Sequence, residues 1–145
     1  MLRMSRLTDY GLVLLTHLAS EDPQRLHNAR ELALAAHLPL PVVSKILKAL
    51  AREGFLVSHR GIKGGYTLAR PAADVSVVAV IDALEGPIAL TECGVGSCDR
   101  EARCAVRAPW QRINRLVRKS LEDVRLSDLV SPPTVFSPQE PIHAE

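Results

Sequence analysis

Between Asn28 and Arg70 the hydrophobic period changes from helical to strand-like, and that change limits the chain to few architectures. In NARELALAAHL the apolar residues recur at helical spacing. Asn28 and Glu31, three apart, form a capping box that starts a short helix running to about Ala36. A tight turn, HLPL, leads into LPVVSKILKALAREG, where Pro41 suits the first turn of a helix and Gly54 suits the position just past its end. Val43, Ile46, Leu47 and Leu50 form the inward stripe, and Pro41, Val42, Ser44, Lys45 and Lys48 are left outward. FLVSHR and GYTLAR then read as strands joined by GIKG, with Gly61, Gly64 and Gly65 permitting backbone conformations that other residues resist. A plain αα-hairpin with solvated lysines explains the helices but not the hairpin after them. The order predicts a winged helix-turn-helix: a mostly α fold with a small β wing.

Charge is distributed to match. Residues 1–71 carry ten Lys+Arg against five Asp+Glu, net +5, and residues 72–145 carry eight against eleven, net −3. A basic front half suits a polyanion such as double-stranded DNA. Ser44 and Lys45 are placed for base edges or nearby phosphates, and Pro41 and Val42 for thymine methyls. Lys48, Arg60 and Lys63 are placed to position the duplex, with Gly64 in the same candidate surface at the wing tip. No apolar run approaches the roughly 20 residues of a membrane helix, and MLRMSRLTDYG has no signal-peptide core, so a cytoplasmic protein is expected.

Outside the wing, Ser5 caps a first helix to about Ser20, with Tyr10, Val13, Leu14, His17 and Leu18 on one face. VSVVAVIDALEG is a further helix, with Val77, Val80, Ile81 and Leu84 inward. Beyond Cys104, Pro109 implies a short turn before a long helix, because proline is not accommodated deep in a helix without a kink. Val106, Trp110, Ile113, Val117 and Leu121 share one stripe of that helix, which needs either a second copy of the chain or its own winged domain as cover. LSDLV is a final short helix, and SPPTVFSPQEPIHAE reads as a disordered tail. The expected organisation is a DNA-binding domain over 1–86, a cysteine loop over 87–104, a dimerisation helix and short terminal helix over 105–130, and the tail over 131–145.

All three cysteines lie in ECGVGSCDREARC, spaced C-x4-C-x5-C. Cytosolic thiols stay reduced, so the cluster points to metal or redox chemistry rather than a disulfide. The spacing matches neither paired zinc knuckles nor a C-x-x-C redox motif. An iron–sulfur cluster, a single zinc ion and unligated redox-sensing thiols all remain open. A thiol oxidoreductase using Cys93 or Cys98 is disfavoured, because no histidine lies near the loop to act as a base.

LTDYGLVLLTHLA, VVSKILKAL, RGIKGGYTLARP, IDALEGPIALTEC and the cysteines followed by Trp110 resemble the Rrf-two family of winged-helix regulators over about residues 1–130. MLRMSRLTDYG and EGPIALTEC resemble its subgroup that regulates SUF-type iron–sulfur assembly. The resemblance implies a homodimer on a partly palindromic operator and a non-enzymatic, cluster-controlled regulator, with a nitric-oxide- or redox-sensing repressor of the same fold as the alternative. Carried over by position, Cys93, Cys98 and Cys104 are the cluster thiolates, and Trp110, Ile113, Val117 and Leu121 belong to the dimerisation helix. Iron–sulfur members place a histidine three residues past the last cysteine, where this chain has Arg107, a guanidinium unable to ligate. Asp9, in LTDYG, matches the aspartate that nitric-oxide sensors donate from the other subunit, and Glu92, Asp99 and Glu101 are local alternatives. The first cysteine spacing is one residue shorter than in those relatives, which leaves a two-iron and a four-iron cluster equally open.

Overall fold

The computed structural model describes residues 3–96 and 98–130, so the expected tail over 131–145 lies outside the described residues. Its elements are α1 (Arg6–Ser20), α2 (Ala29–Ala36), α3 (Leu40–Arg52), β1 (Leu56–His59), β2 (Gly65–Leu68), α4 (Val77–Glu85), α5 (Arg107–Glu122) and α6 (Leu126–Val130). This is a mostly helical fold with a two-stranded antiparallel wing. Among the described residues no single helix is long and apolar enough to cross a membrane.

Helix starts follow local chemistry. Ser5 accepts the Thr8 N–H through its hydroxyl and opens α1. Asn28 Oδ1 accepts the Glu31 N–H at 2.8 Å and opens α2. The reciprocal half of that capping box is replaced, because the Glu31 carboxylate pairs with Arg25 instead. α2 ends at His37, a non-glycine residue in the left-handed region (φ 54°), and the chain turns at once into α3. Pro41 occupies the first turn of α3, and Gly54 follows its end with φ 84°.

The core is aliphatic. Val43, Ile46, Leu47 and Leu50 of α3 are fully buried, and meet Leu14 and Leu15 of α1, Leu32 of α2 and Val80 of α4. α1 is rotated from the expected face: Thr8, Gly11, Leu14, Leu15 and Leu18 are buried, while Val13 is 41% exposed. The rotation puts the larger leucine at 15 into the core, with the small Gly11 at the approach to Leu84 of α4. Leu126 of α6 is also fully buried. Its N–H donates to the Val75 carbonyl at 2.8 Å and the Val77 N–H donates to Val124 at 3.0 Å, so the chain returns to the winged core after α5.

In the wing, β1 pairs with β2 in the register Leu56↔Leu68, Val57↔Thr67, Ser58↔Tyr66 and His59↔Gly65. The strands are shorter than FLVSHR and GYTLAR because Phe55 turns into the core and Ala69 bonds back to it. α5 starts at Arg107, directly after a turn at Ala105 and Val106, so the expected short turn is present but lies before Pro109 rather than at it. Pro109 sits within its first turn, where a missing N–H costs no helical hydrogen bond.

Candidate nucleic-acid interface and cysteine loop

The exposed side of α3 and the wing tip present four cations. Lys45, Lys48, Arg60 and Lys63 are exposed, and among the described residues none of them forms an ion pair. Unneutralised side chains of this kind keep their full attraction for phosphate. Pro41 is exposed at the start of α3, and Ser44 is half-buried. Val42, expected outward, is half-buried and packs against the core. At the tip, Gly64 N–H donates to Gly61 O at 3.0 Å, and a Cβ on Gly64 would lie 2.2 Å from His59 O, so only glycine fits. This tight tip leaves Ile62, a residue that strand periodicity did not single out, fully exposed between Arg60 and Lys63.

The cysteine loop joins α4 to α5 through short 3-10 turns at Glu92–Gly94 and Glu101–Arg103. Cys93 and Cys98 are half-buried, Cys104 is exposed, and all three are free thiols. Among the described residues no three His, Cys, Asp or Glu side chains converge to hold a metal ion. The donors therefore suit a thiophilic cofactor in kind, three unpaired sulfurs on one glycine-bearing segment, but the loop as folded does not gather them. Arg107 pairs with Glu101 at 2.8 Å, and Gln111 also donates to Glu101, so that carboxylate is already engaged. Asp9 is exposed in the first turn of α1, away from any such cluster of donors in its own chain.

α5 faces its own chain with polar residues. Asn114 is its one buried side chain among the described residues. One turn on, Arg118 grips Asp82 of α4 with both terminal guanidinium nitrogens, at 2.6 and 3.2 Å, and donates from Nε to Glu122 at 3.0 Å. Hydrogen bonding to Asp82 holds the Arg118 guanidinium even more firmly protonated than usual. The N-terminal half of the apolar stripe points the other way: Trp110 (37%) and Ile113 (38%) are exposed, with Leu116 (56%) beside them, whereas Val117 and Leu121 are half-buried. Of the two covers expected for the stripe, the winged domain does not supply one for its N-terminal half. Leu116 lies beside that stripe and was not among the residues read from the sequence.

Comparison with known proteins decides the family. A family profile described as Rrf2, iron-dependent transcriptional regulator, matches residues 4–132. The chain belongs to the Rrf2 family. Two strain-specific versions of an HTH-type transcriptional regulator of Mycobacterium tuberculosis are each 29% identical over 130 residues, covering 88% of this chain and 81% of theirs. CymR, the global cysteine regulator of B. subtilis, superposes with a TM-score of 0.73 at 28% identity, covering 90% of this chain and 97% of that one. T. potens IscR shares the fold with a TM-score of 0.69 at 23% identity, covering 89% of this chain and 86% of that one. The winged helix of an Rrf2 transcriptional regulator is a DNA-binding module, and α3 with the wing is its counterpart here.

Proposed function

We propose that this Rrf2 regulator is a homodimer that binds a partly palindromic operator and adjusts its grip through an iron–sulfur cluster held by Cys93, Cys98 and Cys104. The observation that carries this reading is the confinement of every cysteine to the one loop between α4, which packs in the winged core, and α5. The aspartate of LTDYG in the second copy, Asp9, completes the ligand set. When bound, the cluster supplies a centre sensitive to iron supply and oxidants. This chain's residues supply the rest. Lys45, Lys48, Arg60 and Lys63 attract phosphates, Ser44 reaches base edges, and Pro41 with the exposed part of Val42 meets apolar base surface. Trp110, Ile113, Val117 and Leu121 bury their stripe against the same stripe of a second copy, as a two-fold axis requires. Control of SUF-type assembly genes is the regulatory role to which the resemblance of MLRMSRLTDYG and EGPIALTEC points.

A second reading has its own support. Because the three sulfurs are not gathered, the loop is also suited to respond as free thiols, without a metal. Anaerobic purification with iron, sulfide and zinc analysis and visible absorption separates the readings. Coloured protein with iron and sulfide, weakened in Asp9→Ala and lost in Cys98→Ser, is the expected result. Colourless protein with stoichiometric zinc would make the site a single-ion one, and colourless metal-free protein would leave the thiol reading.

A further inference from the structure

A buried amide on an otherwise solvent-washed helix calls for a reason. Asn114 is 8% exposed, and both ends of its amide are used. Its Oδ1 accepts the Leu90 N–H at 2.8 Å, and its Nδ2 donates to Thr91 Oγ1 at 3.0 Å. The Leu90 backbone N–H can only donate, which fixes the amide's orientation. Thr91 Oγ1 lies 3.0 Å from Cys93 Sγ. The threonine oxygen accepts from Asn114 with one lone pair, which leaves its O–H and its second lone pair available to the sulfur, so either Thr91 or Cys93 can donate in that contact. The three side chains form a continuous line, Asn114 to Thr91 to Cys93, running from α5 to the first cysteine. Close packing reinforces it: a Cβ on Gly94 would lie 2.6 Å from Asn114 Nδ2 and 2.6 Å from Ala89 Cβ, so the loop rests directly on the amide.

We propose that Asn114 is a positioning residue that, through Thr91, ties the state of the Cys93 sulfur to the placement of α5. A sulfur that is capped or drawn towards a ligand displaces the Thr91 hydroxyl. The Asn114 Nδ2–H then loses its acceptor at a largely buried position, and α5 responds, because a buried donor without a partner is disfavoured. The inference deepens the proposed sensing role of the loop, and needs only that something happens at Cys93. It also accounts for the polar contacts that α5 makes with its own chain, which leave Trp110, Ile113 and Leu116 exposed.

Hydrogen–deuterium exchange of α5 in iron-free, full-length Cys98→Ser/Cys104→Ser protein tests this, before and after capping with methyl methanethiosulfonate. The Cys93 sulfur attacks the reagent's sulfenyl sulfur, a methyl disulfide forms, and methanesulfinate leaves. Capping is expected to speed exchange across Arg107–Glu122 at least about fivefold. Thr91→Val, which removes the hydroxyl, and Asn114→Asp, whose carboxylate draws the Thr91 proton away from sulfur, should erase the response. Thr91→Ser should restore it. An α5 that ignores capping, or a response of equal size in Thr91→Val and Thr91→Ser, would overturn the proposal. Because no iron is present, either result is independent of whether the loop holds a cluster.

Discussion

Lys63 and Ile62 stand side by side at the wing tip, one charged and one apolar, and both without cover. They should behave differently on DNA. Lys63→Ala should weaken binding to all sequences alike and flatten the plot of log affinity against log salt by about 0.9, the contribution of one phosphate contact. Titrations at several salt concentrations read that slope, and an unchanged slope would remove Lys63 from the phosphate surface. Ile62→Ser should leave the slope unchanged, because no charge is lost. It should shift stability by no more than about 0.5 kcal/mol, since nothing buried is altered. Gly64→Ala is the opposite case. A Cβ 2.2 Å from a backbone carbonyl forces the tip open, so the variant should lose DNA affinity while α-helical circular dichroism is retained.

Among the elements, α1 and α4 are joined by Glu85, whose carboxylate accepts the Ser5 backbone N–H. Hydrogen bonds from the Ser5 and then the Thr8 side chains hold Glu85 below its usual value. A depressed carboxylate contributes stability above its unfolded pKa of about 4.3 and loses it as pH falls through the lower folded value. Glu85→Gln should therefore flatten the decline in denaturant midpoint below about pH 4.3, while wild type keeps falling. Parallel acid limbs for the two proteins would show that the contact contributes nothing.

The elements also show what the sequence made legible. The inward stripe of α3, Pro41 and Gly54 at its ends, the wing after it and the short helix at Leu126–Val130 all follow from local periodicity and turn chemistry. The misjudged features depend on distant partners. α1 is rotated by what α3 and α4 offer it, not by its own pattern. His27 lies between the two expected helices, yet it is buried because its backbone exchanges two hydrogen bonds with Tyr66, at 3.2 and 2.8 Å, beneath the wing. Asn114 reads as an ordinary polar position on an amphipathic helix. Only the fold brings Leu90 and Thr91 to it, from 24 and 23 residues away.

At the scale of the whole molecule, the winged core is closed by a residue beyond the loop and α5. Leu126, fully buried, locks the return of the chain against α1. Leu126→Ala should cost about 2–5 kcal/mol in denaturant unfolding, the range for a leucine removed from a packed site. A loss below about 1 kcal/mol would mean that α6 is peripheral. The same return path places the loop and α5 as an insertion whose two ends are both fixed to the winged core, and in the proposed function a change at the cysteines reaches α3 through α4, which contacts both α5 and α3. Allosteric couplings of about 1–3 kcal/mol correspond to changes of roughly 5–150-fold in affinity. The most direct measurement of that claim is a titration of one operator, at one salt concentration and without oxygen, with iron-reconstituted and iron-free protein. Dissociation constants at least about fivefold apart are predicted. Equal constants, with iron and sulfide verified in the loaded sample, would contradict the account.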